Sequence, residues 1–214
     1  MNIIVVGANG QIGKKLVHLI KDEGQHHVRA MIRKEEQAEA FKDKGIDTVL
    51  ANLEDSVDTL AKAIEGADMI CFTAGSGGST GLDKTLLIDL DGAVKVIEAA
   101  EKVGAKRFIL VSALQANNRE NWSEEIKPYY VAKHYADRML ENSTLTYTII
   151  RPGGLLNNSG NGKIRVGEKI TTGSIPREDV ARTILASFTN DATYNRSFDL
   201  ISGDTPIEEA LNTL

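Results

Sequence analysis

The chain has 214 residues and a formal net charge of -5, with 42% hydrophobic and 26% charged residues. This balance is typical of a folded soluble domain and argues against disorder, which requires few apolar residues and a high net charge. Since there is no excess of basic residues, the composition gives no indication of nucleic-acid binding.

Short β-branched runs alternate along the chain with segments of helical periodicity. In chain order, this pattern predicts strands at 2–6, 27–32, 46–50, 68–72, 107–111, 146–151 and 197–201. Between and after them it predicts helices at 11–23, 35–44, 57–64, 83–103, 124–141, 175–187 and 206–214. The irregular stretch 152–172 contains at most a short strand at 163–166. Such alternation predicts an α/β protein with a doubly wound parallel sheet and helices on both faces, in which ligands bind beyond the carboxyl ends of the strands.

A glycine-rich turn follows the first predicted strand. It reads G-A-N-G-Q-I-G at positions 7–13 and leads directly into an amphipathic helix. Glycine permits a tight turn and lets the backbone approach a pyrophosphate, whose charge the free amides at the start of the next helix would stabilise. In this strand–turn–helix context, Gly7, Gly10 and Gly13 predict a dinucleotide phosphate loop.

A second set of glycines with the same spacing, Gly75, Gly78 and Gly81, follows the fourth predicted strand. It lies in a loop instead of opening an amphipathic helix, so the fingerprint is weaker here. The loop 75–81 is either a mobile surface loop or a loop that flanks the cofactor, and the sequence leaves both interpretations open.

The residues after the second and third strands indicate which dinucleotide is bound. NAD-specific sites often place an acid at the end of the second strand, where it binds the ribose 2′-hydroxyl. Here that acid is absent and Arg33 occupies the region; a guanidinium can bind a 2′-phosphate through two hydrogen bonds. We therefore expect NADP, with NAD less favoured, unless Arg33 and Lys34 only form the solvated start of a helix. Asn52 and Leu53, after the third strand, are candidates for contacts with the adenine.

Tyr129 and Lys133 are the candidate catalytic pair. They are four residues apart on one predicted helix, so they share a face. Reduction of a carbonyl requires a proton donor, and a nearby ammonium would stabilise the phenolate and lower the pKa of the tyrosine. Ser112, at the end of the fifth strand, could hold the substrate oxygen. The alternative is an exposed helical pair with no catalytic role.

Other residues have simpler explanations. The only cysteine, Cys71, lies in an apolar run and is expected to be a core thiol. His134 faces a different side of its helix from Tyr129 and is expected at the surface. Asp179 fits the first turn of a helix, where an acid offsets the helix dipole. Trp122 stands alone in a polar loop and could contact a substrate or a neighbouring chain.

The residue types also limit location and partners. With one cysteine and no H-E-x-x-H spacing among four histidines, we expect no disulfide and no metal site. There is no apolar run near the roughly 18 residues of a membrane helix, and no secretory signal is recognisable at the first residues. We therefore expect a cytoplasmic monomer or homodimer that binds a small-molecule substrate, with no nucleic-acid or membrane partner. The length suits one domain over residues 1–214.

Five segments together resemble the atypical short-chain dehydrogenases/reductases, in particular their small NAD(P)-binding members. The resemblance extends from residue 1 to about 200 and implies a Rossmann-type sheet of about seven strands in the order 3-2-1-4-5-6-7. The matching segments are G-A-N-G-Q-I-G at 7–13, D-G-A at 91–93, K-R-F-I-L-V-S at 106–112, Y-Y-V-A-K-H-Y-A-D at 129–137 and Y-T-I-I-R-P-G-G-L at 147–155.

The resemblance implies roles for individual positions. Ser112, Tyr129 and Lys133 match the catalytic Ser, Tyr and Lys of the family, and Lys133 would also hold the nicotinamide ribose. The dinucleotide would be contacted at the pyrophosphate by Gly7, Asn9, Gly10, Gln11, Ile12 and Gly13, at the 2′-phosphate by Arg33, at the adenine by Asn52 and Leu53, at the ribose by Thr73, Ala74 and Gly75, and at the nicotinamide by Pro152 and Gly153.

Departures from the family pattern refine the expected function. Asp89 lies where larger relatives often carry a catalytic Asn, and Asn52 stands where many carry Asp. The substrate-side region, near 152–175 and the C-terminus, is small, which disfavours sugar-nucleotide chemistry. The leading hypothesis is an NADP-dependent oxidoreductase that transfers hydride between NADP(H) and a small carbonyl, quinone or flavin-like substrate. The alternative is a catalytically silent, NAD(P)-binding redox sensor of the NmrA-like type.

Overall fold

The computed structural model describes residues 1–78 and 80–214, so position 79 of the predicted loop 75–81 lies outside the described residues. The strands are β1 (Asn2–Val6), β2 (His27–Ile32), β3 (Asp47–Leu50), β4 (Met69–Phe72), β5 (Arg107–Val111), β6 (Thr146–Pro152), β7 (Gly154–Leu156), β8 (Lys163–Gly167), β9 (Ser174–Pro176), β10 (Arg196–Ser202) and β11 (Thr205–Pro206). The helices are α1 (Gln11–Glu23), α2 (Glu39–Lys42), α3 (Val57–Ala63), α4 (Leu82–Lys84), α5 (Ala93–Lys102), α6 (Lys127–Glu141), α7 (Arg177–Ala186) and α8 (Ile207–Leu211). A π-helical segment, Thr85–Gly92, joins α4 to α5, so that 82–102 forms one continuous helix.

Nine of these strands form one sheet in the order β11-β8-β10-β6-β5-β4-β1-β2-β3. Pairing is parallel from β3 across to β10, and β8 and β11 add antiparallel strands at the β10 edge. The predicted order is confirmed, with β10 as the seventh predicted strand and β8 at the expected short strand. The sequence did not predict β11, or the small parallel sheet that β7 and β9 form beside the main one.

Helices cover both faces of the sheet, as the alternation predicts. Along β1, Ile3 and Val5 face one hydrophobic core while Ile4 and Val6 face the other. The first core is closed mainly by α1, α7 and α8, and the second by α3, α5 and α6. Burial on two faces explains why the central strands read as continuous apolar runs. A bilayer crossing demands more length and hydropathy than any helix in the described part of the chain has.

Two predicted helices differ from what the structure shows. The segment 35–44 is a 3-10 turn followed by the four-residue α2, in which Phe41 is the buried side chain, so little apolar surface supports a longer helix. The helix predicted from 175 starts at Arg177, because Ser174–Pro176 forms strand β9. Pro176 has the extended conformation that precedes a helix and lacks a donor to extend the strand.

Two glycines allow close contact between backbones beyond the end of β6. A Cβ on Gly153 would lie 2.4 Å from the carbonyl oxygen of Gly173. Gly173 has a φ of +146°, which favours glycine, and a Cβ there would lie 2.7 Å from the side chain of Ile201. The Gly154 N–H donates a 2.9 Å hydrogen bond to the Gly173 carbonyl. The Gly153 N–H donates a 2.9 Å hydrogen bond to Leu200 on β10, so this bond and the contact of Gly173 with Ile201 join the β7–β9 sheet to the main sheet.

Gly153→Ala should therefore destabilise the protein, because its methyl group would collide with backbone that has little room to move. We expect a loss of about 1–3 kcal/mol in the free energy of unfolding, the usual range for overpacking. Gly154→Ala is the matched control: its Cβ would be 3.6 Å from Ser174, an ordinary contact, so its effect should stay near or below about 0.5 kcal/mol. Urea unfolding of both variants measures the difference, and equal effects would contradict the steric explanation.

Candidate active site

The carboxyl ends of the central parallel strands lie at one edge of the sheet, and the chain connectivity reverses direction between β1 and β4. Gly7, Thr73 and Ser112 follow β1, β4 and β5 at this edge. The Thr73 hydroxyl donates a 2.9 Å hydrogen bond to the Val6 carbonyl, and the Ser112 N–H donates one of 2.8 Å to Ile150 on β6. Such an edge is where open α/β sheets bind ligands.

The turn between β1 and α1 requires glycine on steric grounds. Gly7 has a φ of +78°, and a Cβ there would lie 2.6 Å from the Ala74 backbone. A Cβ on Gly13 would lie 2.3 Å from the Gly7 carbonyl oxygen and 2.8 Å from the Thr73 hydroxyl. The predicted roles of these glycines in tight turning and in helix–strand packing match this geometry.

The first turn of α1 has neither a side-chain cap nor an acidic residue. Gly10 caps the helix without a side-chain hydrogen bond, and no acid lies in the first turn. The amides at this end therefore have no capping side chain, and the helix dipole is not offset by an acid. Asn9 and Gln11 are exposed beside it, while Ile12 packs into the core.

Arg33, Asn52 and Leu53 lie at the ends of the neighbouring strands β2 and β3. Arg33 is exposed, and its guanidinium makes no hydrogen bond or ion pair with the described residues. The side-chain oxygen of Asn52 accepts a 3.1 Å hydrogen bond from the Glu54 N–H, so it shapes the turn after β3. Leu53 is buried against Gly92, whose Cβ would lie 3.0 Å from it.

The backbone after β4 is connected to the π-helical segment through Asp89. Asp89 is buried, and its Oδ2 accepts a 3.0 Å hydrogen bond from the Ser76 N–H. A Cβ on Gly75 would lie 3.1 Å from its Oδ1. The same Oδ1 is 3.9 Å from the Lys133 ammonium. Asp89 thus holds the residues that follow β4 next to the helix that carries the candidate catalytic pair.

Tyr129, Lys133 and Ser112 are brought to one region. Tyr129 and Lys133 lie one turn apart on α6, with the Lys133 ammonium 5.9 Å from the centre of the Tyr129 ring. Lys133 is almost completely buried. The Ser112 hydroxyl is buried beside Asp137 and has no hydrogen-bond partner of normal geometry in the described residues. The loop after Ser112 is bonded to β6, where Leu114 N–H donates to Pro152 at 3.0 Å.

The electrostatic relation between Tyr129 and Lys133 differs from the expectation. Burial raises the pKa of Tyr129, and the nearby Asp89 carboxylate raises it further. Burial lowers the pKa of Lys133, while Asp89 and Asp137 oppose that change. The expected lowering of the Tyr129 pKa by Lys133 is therefore wrong for this arrangement, because burial of the phenol is the larger effect and Asp89 adds to it. The phenol is protonated at neutral pH and is available as a proton donor.

A row of buried charges continues along α6 from the candidate site. Asp137, one turn beyond Lys133, accepts a 2.9 Å hydrogen bond from the Arg151 guanidinium, and Glu141 lies 3.6 Å from the same group. Asp137 and Arg151 were not predicted as site residues from the sequence. The signal for Asp137 is its spacing of four from Lys133, which places both on one face of α6; Arg151 lies on β6 and has no such signal.

Of the remaining predicted residues, Cys71 is a core thiol as expected, and burial raises its pKa. The expectation that His134 is a surface residue is wrong: it is buried, and its Nδ1 lies 3.0 Å from the Ala116 carbonyl. The helix turns it against the loop after β5. Trp122 stacks on Tyr130 within the chain, with ring centres 6.0 Å apart.

Asp179 occupies the first turn of α7 as predicted, but it does more than face the helix dipole. It is completely buried and accepts hydrogen bonds from the N–H groups of Asn161 and Gly162, at 3.1 and 3.0 Å. This carboxylate therefore holds the loop between β7 and β8 in place.

Comparison with known proteins gives independent evidence on the family. A family model described as NAD(P)H-binding matches residues 7–191. The chain is 60% identical over 214 residues to YhfK of Bacillus subtilis, named an uncharacterized sugar epimerase, with 100% of both chains covered. It is also similar to the solved structure of the oxidoreductase YlbE from Lactococcus lactis, with a TM-score of 0.90, 33% identity and coverage of 100% and 96%. A third similar structure is ChuY, an anaerobilin reductase from Escherichia coli O157:H7, with a TM-score of 0.80, 27% identity and coverage of 95% and 98%.

The matched region includes the glycine turn, all three candidate catalytic residues and most of the parallel sheet. The chain belongs to the NAD(P)H-binding family, and its resemblance to the small Rossmann-type proteins of the atypical short-chain dehydrogenase/reductase kind is confirmed. The residues at this edge fit a dinucleotide. The turn at Gly7 and Gly13 has no room for a Cβ, and the first turn of α1 carries no acid that would repel a phosphate.

The raised pKa of Tyr129 has a consequence for stability at high pH. Folded Tyr129 holds its proton more tightly than the unfolded chain, in which tyrosine ionises near about pH 10. Its contribution to stability is complete below that pH and is lost as the pH rises further. Tyr129→Phe should therefore reduce the loss of unfolding free energy above about pH 10. Urea unfolding across this range tests it, with the exposed Tyr135→Phe as control; equal slopes for the wild type and Tyr129→Phe would contradict the shift.

Proposed function

We propose that the protein is an NADP-dependent oxidoreductase of the short-chain dehydrogenase/reductase superfamily, acting on a small carbonyl, quinone or flavin-like substrate. The observation that carries the proposal is the position of the buried Lys133 ammonium, 5.9 Å from the centre of the Tyr129 ring, at the sheet edge that also holds the glycine turn. This position supports a proton donor and a cation acting beside a dinucleotide.

Different residues around the sheet edge would bind different parts of the cofactor. The first turn of α1 would bind the pyrophosphate, and Lys133 would hold the nicotinamide ribose. When bound, the dinucleotide supplies the hydride. The contacts nearest the adenine and the two riboses would come from Arg33, Asn52, Leu53, Thr73, Ala74 and Gly75, and those at the nicotinamide from Pro152 and Gly153.

The side chains of the protein supply the remaining chemistry. Tyr129 would donate its phenolic proton to the carbonyl oxygen while hydride reaches the carbon, so that a carbonyl becomes an alcohol. A phenol that stays protonated at neutral pH suits this direction of proton transfer. Ser112 would contact the same oxygen through its unpartnered hydroxyl.

The preference for NADP is supported by Arg33. Its guanidinium is exposed at the end of β2 and has no ion pair with the described residues, so it is available for a 2′-phosphate. A carboxylate at this position would instead favour the free 2′-hydroxyl of NAD.

A flat, apolar acceptor is supported by the surface beside Gly153. Leu155 and Leu156 on β7 are 37% and 41% exposed, which leaves apolar surface next to the proposed nicotinamide position. The similarity to ChuY, named an anaerobilin reductase, also favours a conjugated acceptor. The small region between β6 and α7 argues against a nucleotide-sugar substrate, although YhfK is named a sugar epimerase.

The experiment that tests the proposal follows NADPH oxidation with aldehydes, quinones, flavins and anaerobilin as acceptors. Turnover with one of these classes supports the oxidoreductase. Tight NADPH binding without turnover of any acceptor would contradict it and favour the silent redox sensor. Turnover of a nucleotide sugar with retention of the reduced cofactor would favour an epimerase.

Arg33→Ala should weaken NADPH binding much more than NADH binding. Loss of hydrogen bonds from a guanidinium to a phosphate should cost about 1.5–3 kcal/mol of binding free energy. Lys34→Ala is the matched control, because Lys34 is also exposed and lies 3.9 Å from Glu36. Calorimetric titration of both cofactors into the three proteins gives the comparison. An equal loss for NADH and NADPH would refute the role of Arg33.

Tyr129→Phe should separate turnover from binding. It removes the hydroxyl but keeps the ring, so cofactor affinity should stay nearly unchanged while carbonyl reduction falls by about 10²–10⁴. Lys133→Met should lower both, because it removes a ribose donor as well as a charge near the reacting oxygen. Rates and cofactor dissociation constants are measured separately for both variants. Full turnover in Tyr129→Phe would rule out the proton donor and leave acceptors that need no protein acid.

A further inference from the structure

Asp137 is a buried carboxylate that the proposed reaction does not use. It lies on α6 one turn beyond Lys133 and is 2% exposed. Its Oδ2 accepts the 2.9 Å hydrogen bond from Arg151, while Oδ1 is buried without a hydrogen-bond partner in the described residues. A buried oxygen without a partner costs free energy, so an unused Oδ1 requires an explanation.

The Ser112 hydroxyl is close enough to Asp137 to become the hydrogen-bond partner of Oδ1. Its Oγ is also buried and lacks a hydrogen-bond partner of normal geometry among the residues described. Burial raises the pKa of the Asp137 carboxyl, and Arg151 and the adjacent Ser112 hydroxyl both oppose this rise. A hydroxyl rotates freely to suit its partner, so a small adjustment would let Ser112 donate to Oδ1. In this state Ser112 can accept a hydrogen bond from the Tyr129 hydroxyl, and its single O–H turns from Oδ1 to the carbonyl oxygen when a substrate binds.

Lys133 is the second group that Asp137 affects. The ammonium is faced by Asp89 from the π-helical segment and by Tyr129 and Asp137 from its own helix. The other cation that contacts Asp137 is Arg151 on β6, which donates a hydrogen bond to its Oδ2. A buried ammonium loses its hydration, so it stays charged only where carboxylates compensate it. Asp89 alone, at 3.9 Å, is a loose partner.

We propose that Asp137 is a positioning residue for the reduction: its two oxygens orient Ser112 and Arg151, and its charge keeps Lys133 an ammonium beside Tyr129. The proposal rests on the proposed function for its effect on turnover. Its electrostatic part concerns only the protein and can be measured without substrate or cofactor.

A purely structural role makes a different prediction. If Asp137 only neutralises Arg151, then Glu141, the other carboxylate at Arg151, should matter in the same way. Glu141 lies two turns from Lys133 on α6 and is exposed. Glu141→Gln therefore removes one carboxylate from Arg151 and leaves the surroundings of Lys133 and Ser112 unchanged. It is the matched control for Asp137→Asn.

The experiment compares the wild type, Asp137→Asn, Asp137→Glu and Glu141→Gln by two readouts. The first is the pH profile of NADPH-dependent reduction of the best acceptor. The second is the titration of the Lys133 side chain by NMR of isotope-labelled lysine, assigned with Lys133→Met. In Asp137→Asn, both the basic limb of the profile and the Lys133 titration should move to lower pH by about one to two units, the effect of a unit charge several ångströms away in a protein interior.

Asp137→Glu keeps the charge but moves the oxygens. It should leave the Lys133 titration within about half a unit of the wild type while turnover falls, because a displaced carboxylate no longer meets Ser112. If Asp137→Asn fails to fold, Asp137→Glu still tests whether the position of the Asp137 oxygens affects turnover. An unchanged Lys133 titration in Asp137→Asn, or an equal shift in Glu141→Gln, would overturn the proposal. If no acceptor is reduced by the wild type, the proposed function fails, and the NMR titration still decides whether Asp137 holds the charge of Lys133.

Discussion

A charged amine in a protein interior has to be balanced by negative charge nearby, and Lys133 imposes this requirement on the candidate site. Its ammonium is almost completely buried on α6, and the carboxylates of Asp89 and Asp137 approach it from different elements. Asp89 in turn binds the backbone after β4, and Asp137 binds Arg151 on β6. The two carboxylates that balance the Lys133 charge therefore connect the loop after β4, the π-helical segment, α6 and β6.

The other half of the site depends on steric exclusion instead of charge. At Gly7 and Gly13, the turn after β1, the start of α1 and the residues after β4 approach too closely for any Cβ. This contact aims the first turn of α1 at the sheet edge and leaves its amides without a side-chain cap. The proposed phosphate side of the site is thus formed by backbone, and the proposed reactive side by buried charges. In the proposed function, dinucleotide binding uses the first arrangement and hydride transfer uses both.

Much of this architecture could be predicted from the sequence because it follows from local patterns. Apolar runs and helical spacing locate the parallel strands and most helices, and the strand–turn–helix context predicts a phosphate loop. The burial of His134 and the approach of Asp89 to Lys133 could not be predicted in this way. They depend on which side chains from distant segments meet, whereas the i, i+4 spacing on α6 indicates only that Asp137 lies near Lys133. The short strands β7, β9 and β11 were missed for a similar reason, since each is stabilised by a partner far along the chain.

The π-helical segment Thr85–Gly92 also bears on how this family can diverge. A π-helical turn typically originates from one residue inserted into an α-helix, and it is retained where it serves a site. Here it lies between Leu82 and Lys102 in a helix whose later part, α5, is anchored in the second core. Removal of one residue after Asp89 would restore α-helical bonding and rotate the preceding part of the helix by about 100° relative to α5. Asp89 would then leave Lys133 while α5 kept its packing in the second core, so a single deletion offers evolution a route to a member with a differently charged site on the same fold.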